Sequence, residues 1–308
     1  MTSNPNDAYT DWLEAVAAVA RFGPKDKLGT ANYIDAAARR RAAEAIRTGT
    51  TYSLARKLEV GHDQNYYHGS LEAQVTLTPY DGLPHRPAFA GGQVLMATDI
   101  AHITAHGQHQ THLDAINHLG KHGTWYNGWA IDDPEGPDLA SLTGHGLFTR
   151  GVLVDVPAVR GTEWADPAKP VSGEDIDSAL AAAGVTFEPG DALLLYMGRD
   201  KYEAAGHEMD QASGDPMPGA GSGAARWLVE HKASMICWDF IDAVAEGEPS
   251  FQVHMLIWAT GLVVVDNCTF ERATEAVRGS GVITGGLVVA PPPIPGATGS
   301  LADPLFIQ

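Results

Sequence analysis

Four short apolar runs limit what this chain can become: "GVLVDVPAV" from Gly151, "DALLLYMG" from Asp191, "SMICWDFI" from Ser234 and "GLVVVDNCTF" from Gly261. Each follows Gly, Asp or Ser, is rich in bulky apolar residues and ends in polar or turn residues. Uninterrupted runs of this length suit buried strands. Helical stretches separate them. "SGEDIDSALAAAG" opens on Ser172 as an N-cap and closes at Gly184, and "GSGAARWLVEHKA" is amphipathic. Upstream, "DAAARRRAAEAIRTGT" reads as a helix closing at Gly49, and "TYSLARKL" as a strand. Strands alternating with helices predict an α/β protein with a mixed β-sheet core flanked by helices. No internal repeat or low-complexity linker divides the chain, so a single domain over residues 1–308 is expected. It carries an N-terminal arm over about 1–50 and a Pro/Gly-rich tail over about 290–308. That tail, "APPPIPGATGSLADPLFIQ", is too rich in Pro and Gly for regular structure, and is expected to lie against the body as an ordered extended segment.

The formal net charge of −18 argues against nucleic acid and anionic membranes as partners. No apolar run is long enough to span a bilayer, and the N-terminal stretch lacks the basic and apolar parts of a secretory signal. Two isolated cysteines, Cys237 and Cys268, read as buried reduced thiols rather than a disulfide framework. A cytoplasmic location is expected.

The chemistry gathers in "AHITAHGQHQTHLDAINHLGKHG", which holds six of the 13 histidines: His102, His106, His109, His112, His118 and His122. Within it, His112 and Asp114 are one residue apart. On an extended segment residues i and i+2 face the same side, so an imidazole and a carboxylate converge, a natural pair for a divalent ion. If the chain turns helical at Ala115, His118 returns to that face, as a further ligand or as a proton-transfer group. Trp125 and Tyr126 follow closely and could line a pocket for a planar or cyclic substrate.

This stretch resembles the signature of the metal-dependent cyclase family of hydrolases, the group of bacterial kynurenine formamidase, isatin hydrolase and trans-dienelactone hydrolase. Its motif runs H-x-G-T-H-x-D-x-P-x-H. Thr111, His112, Asp114 and His118 match at the right spacing. Three positions depart: Gln108 stands at the first ligand histidine, Gln110 at the Gly and Ile116 at the Pro. Either Gln108 ligates through its amide oxygen, or His106 or His109 substitutes, or that metal position is altered. Four further segments are similar to the family in the right order: "RFGPKDKLGTANYI", "GVLVDVP", "EPGDALLLYMG" and the tail "PPPIPGATGSLADPLFI".

The family also carries a downstream histidine followed twelve residues later by Glu or Gln, both at the metal centre. Here the pair is His254 and Asp266. The resemblance therefore implies a swivelling β/β/α cyclase-like fold. It implies one or two divalent ions per chain, zinc or manganese, held by His112, Asp114, His254, Asp266 and Gln108. Asp114 and His118 would be catalytic, and His106, Trp125 and Tyr126 would meet substrate. A homodimer or homotetramer acting on a small molecule is expected. An ion held by imidazole and carboxylate lowers the pKa of bound water and polarises a carbonyl oxygen. That suits hydrolysis of a lactone, a cyclic amide or an N-formyl arylamine. The alternatives are a lyase or cyclase using the same metal, and a non-catalytic binding protein that kept the fold. The sequence has no G-x-S-x-G, H-E-x-x-H, P-loop or G-x-G-x-x-G pattern.

Overall fold

The computed structural model describes residues 5–19, 21–58, 74–77, 86–89, 94–96, 99–211 and 213–308. Thirteen strands are present among them: β1 (Thr51–Ser53), β2 (Gln74–Leu77), β3 (Arg86–Phe89), β4 (Val94–Met96), β5 (Asp99–His102), β6 (His112–Asp114), β7 (Leu147–Asp155), β8 (Ala192–Tyr196), β9 (Met235–Trp238), β10 (Val263–Asp266), β11 (Thr284–Val289), β12 (Gly299–Leu301) and β13 (Leu305–Ile307). The helices are α1 (Pro5–Ala17), α2 (Ala36–Ala45), α3 (Leu139–Thr143), α4 (Val156–Arg160), α5 (Gly173–Ala183), α6 (Arg199–Ala204), α7 (Ser222–Glu230), α8 (Met255–Thr260) and α9 (Glu271–Ser280).

Nine strands form one mixed sheet in the order β1-β13-β11-β7-β8-β9-β10-β6-β12. The four apolar runs supply its centre, β7, β8, β9 and β10, all parallel to one another. Their residues from Leu193 to Leu195, Met235 to Trp238 and Val263 to Val265 are completely buried, which is why these runs never alternate with polar residues. Strand β6 joins β10 antiparallel and β12 joins β6 antiparallel. Two small two-stranded ribbons, β2 with β5 and β3 with β4, stand apart from the sheet.

Several local expectations shift for physical reasons. Helix α2 starts on its Asp35 cap but stops at Ala45, short of Gly49. The amides of Thr48 and Gly49 instead donate to the Gln308 carbonyl at 2.9 and 2.6 Å, so the C-terminus captures the segment. "VPAV" leaves the strand and opens α4, with Asp155 as its cap and Pro157 in the first turn. The tail is more regular than its composition suggests: Gly299–Leu301 and Leu305–Ile307 are strands paired to β6 and to β1 and β11. Both cysteines are buried free thiols.

Helix α5 opens on the N-cap expected at Ser172, with Asp175 completing a capping box, and ends on Gly184 in the left-handed conformation. Helix α8 ends the same way on Gly261, whose carbonyl accepts from Thr30 at 3.0 Å. The two backbones meet so closely that a Cβ on Gly29, which has φ +53°, would lie 2.3 Å from the Gly261 oxygen. Gly29→Ala is therefore expected to cost at least about 2 kcal/mol, from overpacking and a left-handed backbone. Chemical denaturation checks this, and a loss under 0.5 kcal/mol would contradict the contact.

Candidate metal centre

Strand β6 presents His112 and Asp114 on one face and buries Leu113 on the other. Asp266 of β10 lies directly opposite His112 in the ladder and so shares that face. His254 stands at the N-terminus of α8, in the crossover between β9 and β10. The chain turns after β6 rather than starting a helix: the His118 amide donates to the Ala115 carbonyl at 2.9 Å. That turn is enough to bring His118 Nε2 within 3.9 Å of Asp114 Oδ2.

The groups converge on Asp114. Its Oδ1 lies 2.9 Å from His106 Nδ1 and 3.4 Å from His112 Nε2, and its Oδ2 lies 3.6 Å from His254 Nε2. Asp266 Oδ2 lies 3.1 Å from His254 Nε2 and 3.7 Å from His112 Nε2. Two triads suited to a cation result, His106–His112–Asp114 and Asp114–His254–Asp266, with the ligand atoms of each within 4.8 Å of one another. Asp114 belongs to both, is 1% exposed, and faces imidazole nitrogens rather than backbone or hydroxyl donors among the described residues. A buried carboxylate placed this way is costly unless a cation lies beside it.

Each of the three ligand-type histidines has its other ring nitrogen engaged. His112 donates from Nδ1 to the Gln110 carbonyl at 3.0 Å. His254 donates from Nδ1 to the Asp242 carboxylate. His106 Nε2 pairs with Thr298 Oγ1 at 3.0 Å. This is the usual support of metal-binding imidazoles, fixing the ring and freeing the opposite nitrogen. Asp266 Oδ1 likewise accepts from Trp238 Nε1.

Electrostatics follow the same pattern. Burial works against the Asp114 charge, but His118, His106 and His112 outweigh it and hold the carboxyl below its usual range. His254 is opposed by burial and raised well above its ordinary value by Asp266 and Asp242. Burial lowers His118 to about 4, against the pull of Asp114, so its ring is neutral at pH 7.

The remaining expected site residues sit differently. Gln108 is buried on the loop between His106 and His112, with Arg199 Nη2 on its carbonyl at 2.6 Å and its own Nε2 without an acceptor. His106, read as a substrate contact, stands among the ligand-type groups. Tyr126 is buried, with its hydroxyl donating to Asp26 at 2.9 Å, and Trp125 is half-buried, donating from Nε1 to the Ile131 carbonyl at 3.3 Å. These partners lie outside the His/Asp cluster. His102, His109 and His122 are exposed.

Sequence reasoning missed Asp242, Trp238 and Thr298. Asp242 carried a signal, an acid just past the apolar run "SMICWDFI". It is fully buried, and its Oδ1 accepts from the Val253 amide at 2.5 Å while Oδ2 takes the His254 imidazole. Asp242→Ala is expected to weaken divalent-metal affinity by about 10–100-fold, the usual effect of losing a ligand's supporting partner. Isothermal titration with zinc measures it, and unchanged affinity would detach Asp242 from the centre.

Comparison with known proteins bears on the family and the fold. The Cyclase family model matches residues 52–243, more than half of the chain. The chain belongs to the Cyclase family. The crystal structure of a novel cyclase superposes with a TM-score of 0.82 at 23% identity, covering 96% of this chain and 99% of that one. An isatin hydrolase bound to the product analogue thioisatinate gives a TM-score of 0.60 at 19% identity, over 83% and 90%. Isatin hydrolase A from Labrenzia aggregata, bound to benzyl benzoate, gives 0.58 at 17% identity, over 86% and 94%. At these identities the likeness is one of fold. No curated protein matches the chain by sequence. Among the described residues of the chain, no helix is long and apolar enough to cross a membrane.

Proposed function

We propose that this member of the Cyclase family is a metal-dependent hydrolase that opens a C–N or C–O bond of a small carbonyl compound. The observation that carries this reading is the set of three histidines, each braced at one nitrogen and with the other within 3.6 Å of the buried Asp114 carboxylate. His106, His112, Asp114, His254 and Asp266 fit a divalent ion, and their mixed nitrogen and oxygen donors suit zinc or manganese. Such an ion supplies Lewis acidity toward a carbonyl and makes water a nucleophile near neutral pH.

The protein's own groups do the rest. Asp114 and Asp266 would balance the cation's charge. His118 stays outside both triads, neutral and partly exposed, with Nε2 near Asp114. It is placed to take a proton from attacking water and return it to the leaving nitrogen or oxygen. The binding-protein alternative drew its support from Gln108 at a ligand position. A third histidine, His106, beside Asp114 leaves the donor set without that gap.

Lactones, cyclic amides and N-formyl arylamines offered to the metal-loaded protein test the reading, with labelled solvent water as a tracer. Turnover with solvent oxygen in the product is expected. Turnover without it would assign a lyase or cyclase, and tight binding without turnover would assign a binding protein. A homodimer or homotetramer belongs to the same proposal and is read by sedimentation.

A further inference from the structure

Loop 104–110 has no regular secondary structure, yet its carbonyls are held one after another by buried side chains. Gln110 Nε2 donates to the carbonyls of Thr104, Ala105 and His106 at 2.7, 3.1 and 2.8 Å. Asn267 Nδ2 donates to those of Gly107 and Gln110 at 2.7 and 3.1 Å. Arg199 Nη2 takes that of Gln108 at 2.6 Å. Three converging carbonyls also fix which end of the Gln110 amide is nitrogen, since the oxygen would be repelled there. Gly107 supplies the reversal, at φ +144°.

The result is a coil closed on the Gln110 side chain, with His106 projecting toward Asp114. The His106 ring is confined on several sides. It stacks on His118 with centroids 3.9 Å apart, pairs with Thr298, and fills the space beside Gly299, where a Cβ would lie 2.6 Å from its Cε1. Gln108 contributes its backbone to the clamp rather than a side-chain bond described here.

We infer that Gln110 is a positioning residue that seats His106 as a metal ligand, two residues upstream of the position where the family motif has its first histidine. A glycine at 110, as in that motif, has no side chain to close the coil. The inference rests on the metal-centre reading above and adds to it which histidine ligates and what holds it. The same residue serves the centre twice, because its carbonyl also orients His112.

The test is titration of cobalt(II) alone into metal-free protein, followed by affinity and by the visible absorption of the bound ion. Gln110→Met keeps the bulk and removes the donors, and Gln110→Ala is the second variant. Each is expected to weaken binding about 10-fold or more and to change the cobalt spectrum, as loss of a ligand's support does. In a His106→Ala background the same changes should add almost nothing, because the ligand they seat is gone. Gln108→Ala should bind cobalt like wild type. Wild-type affinity and spectrum in both Gln110 variants would overturn the inference while leaving the metal centre standing. An equal further loss in the His106→Ala background would also overturn it, by showing general structural damage. Wild-type protein that binds no cobalt would overturn the centre and the inference together.

Discussion

Asp114→Asn is expected to empty the centre. The residue belongs to both triads, so its loss removes a ligand from each. Asparagine keeps the shape but replaces the anionic carboxylate with a neutral carboxamide, whose NH2 points its hydrogens at imidazole nitrogens or at the cation. The oxygens of Asp114 face the imidazoles of His106, His112 and His254, so the substitution acts on the groups that would surround the cation. Removing a ligand should exceed the 10–100-fold cost of losing its supporting partner, so metal affinity should fall by more than about 100-fold. Turnover should fall with it. Equilibrium dialysis against zinc and manganese reads the affinity, and circular dichroism confirms the fold. Full occupancy in the variant would remove Asp114 from the ligand set.

His118→Ala is expected to do the opposite: keep the metal and lose the chemistry. Its ring stacks on His106 and its Nε2 approaches Asp114, but it belongs to neither triad. A positioned proton carrier contributes about 10²–10⁴-fold, so kcat should fall by at least about 100-fold while metal content stays within a factor of two. A variant that loses metal would make His118 a ligand. A variant with near-normal kcat would remove it from the mechanism.

How much of this the sequence disclosed depends on the range of the interactions involved. The central strands were legible because burial on both faces writes itself locally as an unbroken apolar run, as in "DALLLYMG". His112 and Asp114 were legible because an extended segment places i and i+2 on one face and because both match the family motif. His254 and Asp266 came from the family pattern, and the β6–β10 register then puts Asp266 opposite His112. The tail lies extended against the body as expected, but its two short strands were missed because Pro and Gly content says nothing of a waiting partner edge. Strand β12 forms against β6, and its Gly299 leaves the room that the His106 ring occupies. Asp242, Trp238 and Thr298 were hidden because each meets its partner across the fold: Thr298 reaches a histidine 192 residues away. The choice among Gln108, His106 and His109 also lay beyond sequence reasoning. It turns on a coil whose shape is set by Asn267 and Arg199, far along the chain from the loop they hold.

The central claim is that the histidine–aspartate cluster is a divalent-metal centre. The most direct test is metal analysis of protein purified without chelator, alongside the Asp114→Asn variant. One to two zinc or manganese ions per wild-type chain and less than about a tenth of an ion in the variant are predicted, as expected when a shared ligand is lost. A wild-type chain that holds less than a tenth of an ion, and takes up none when zinc and manganese are supplied, would contradict the account.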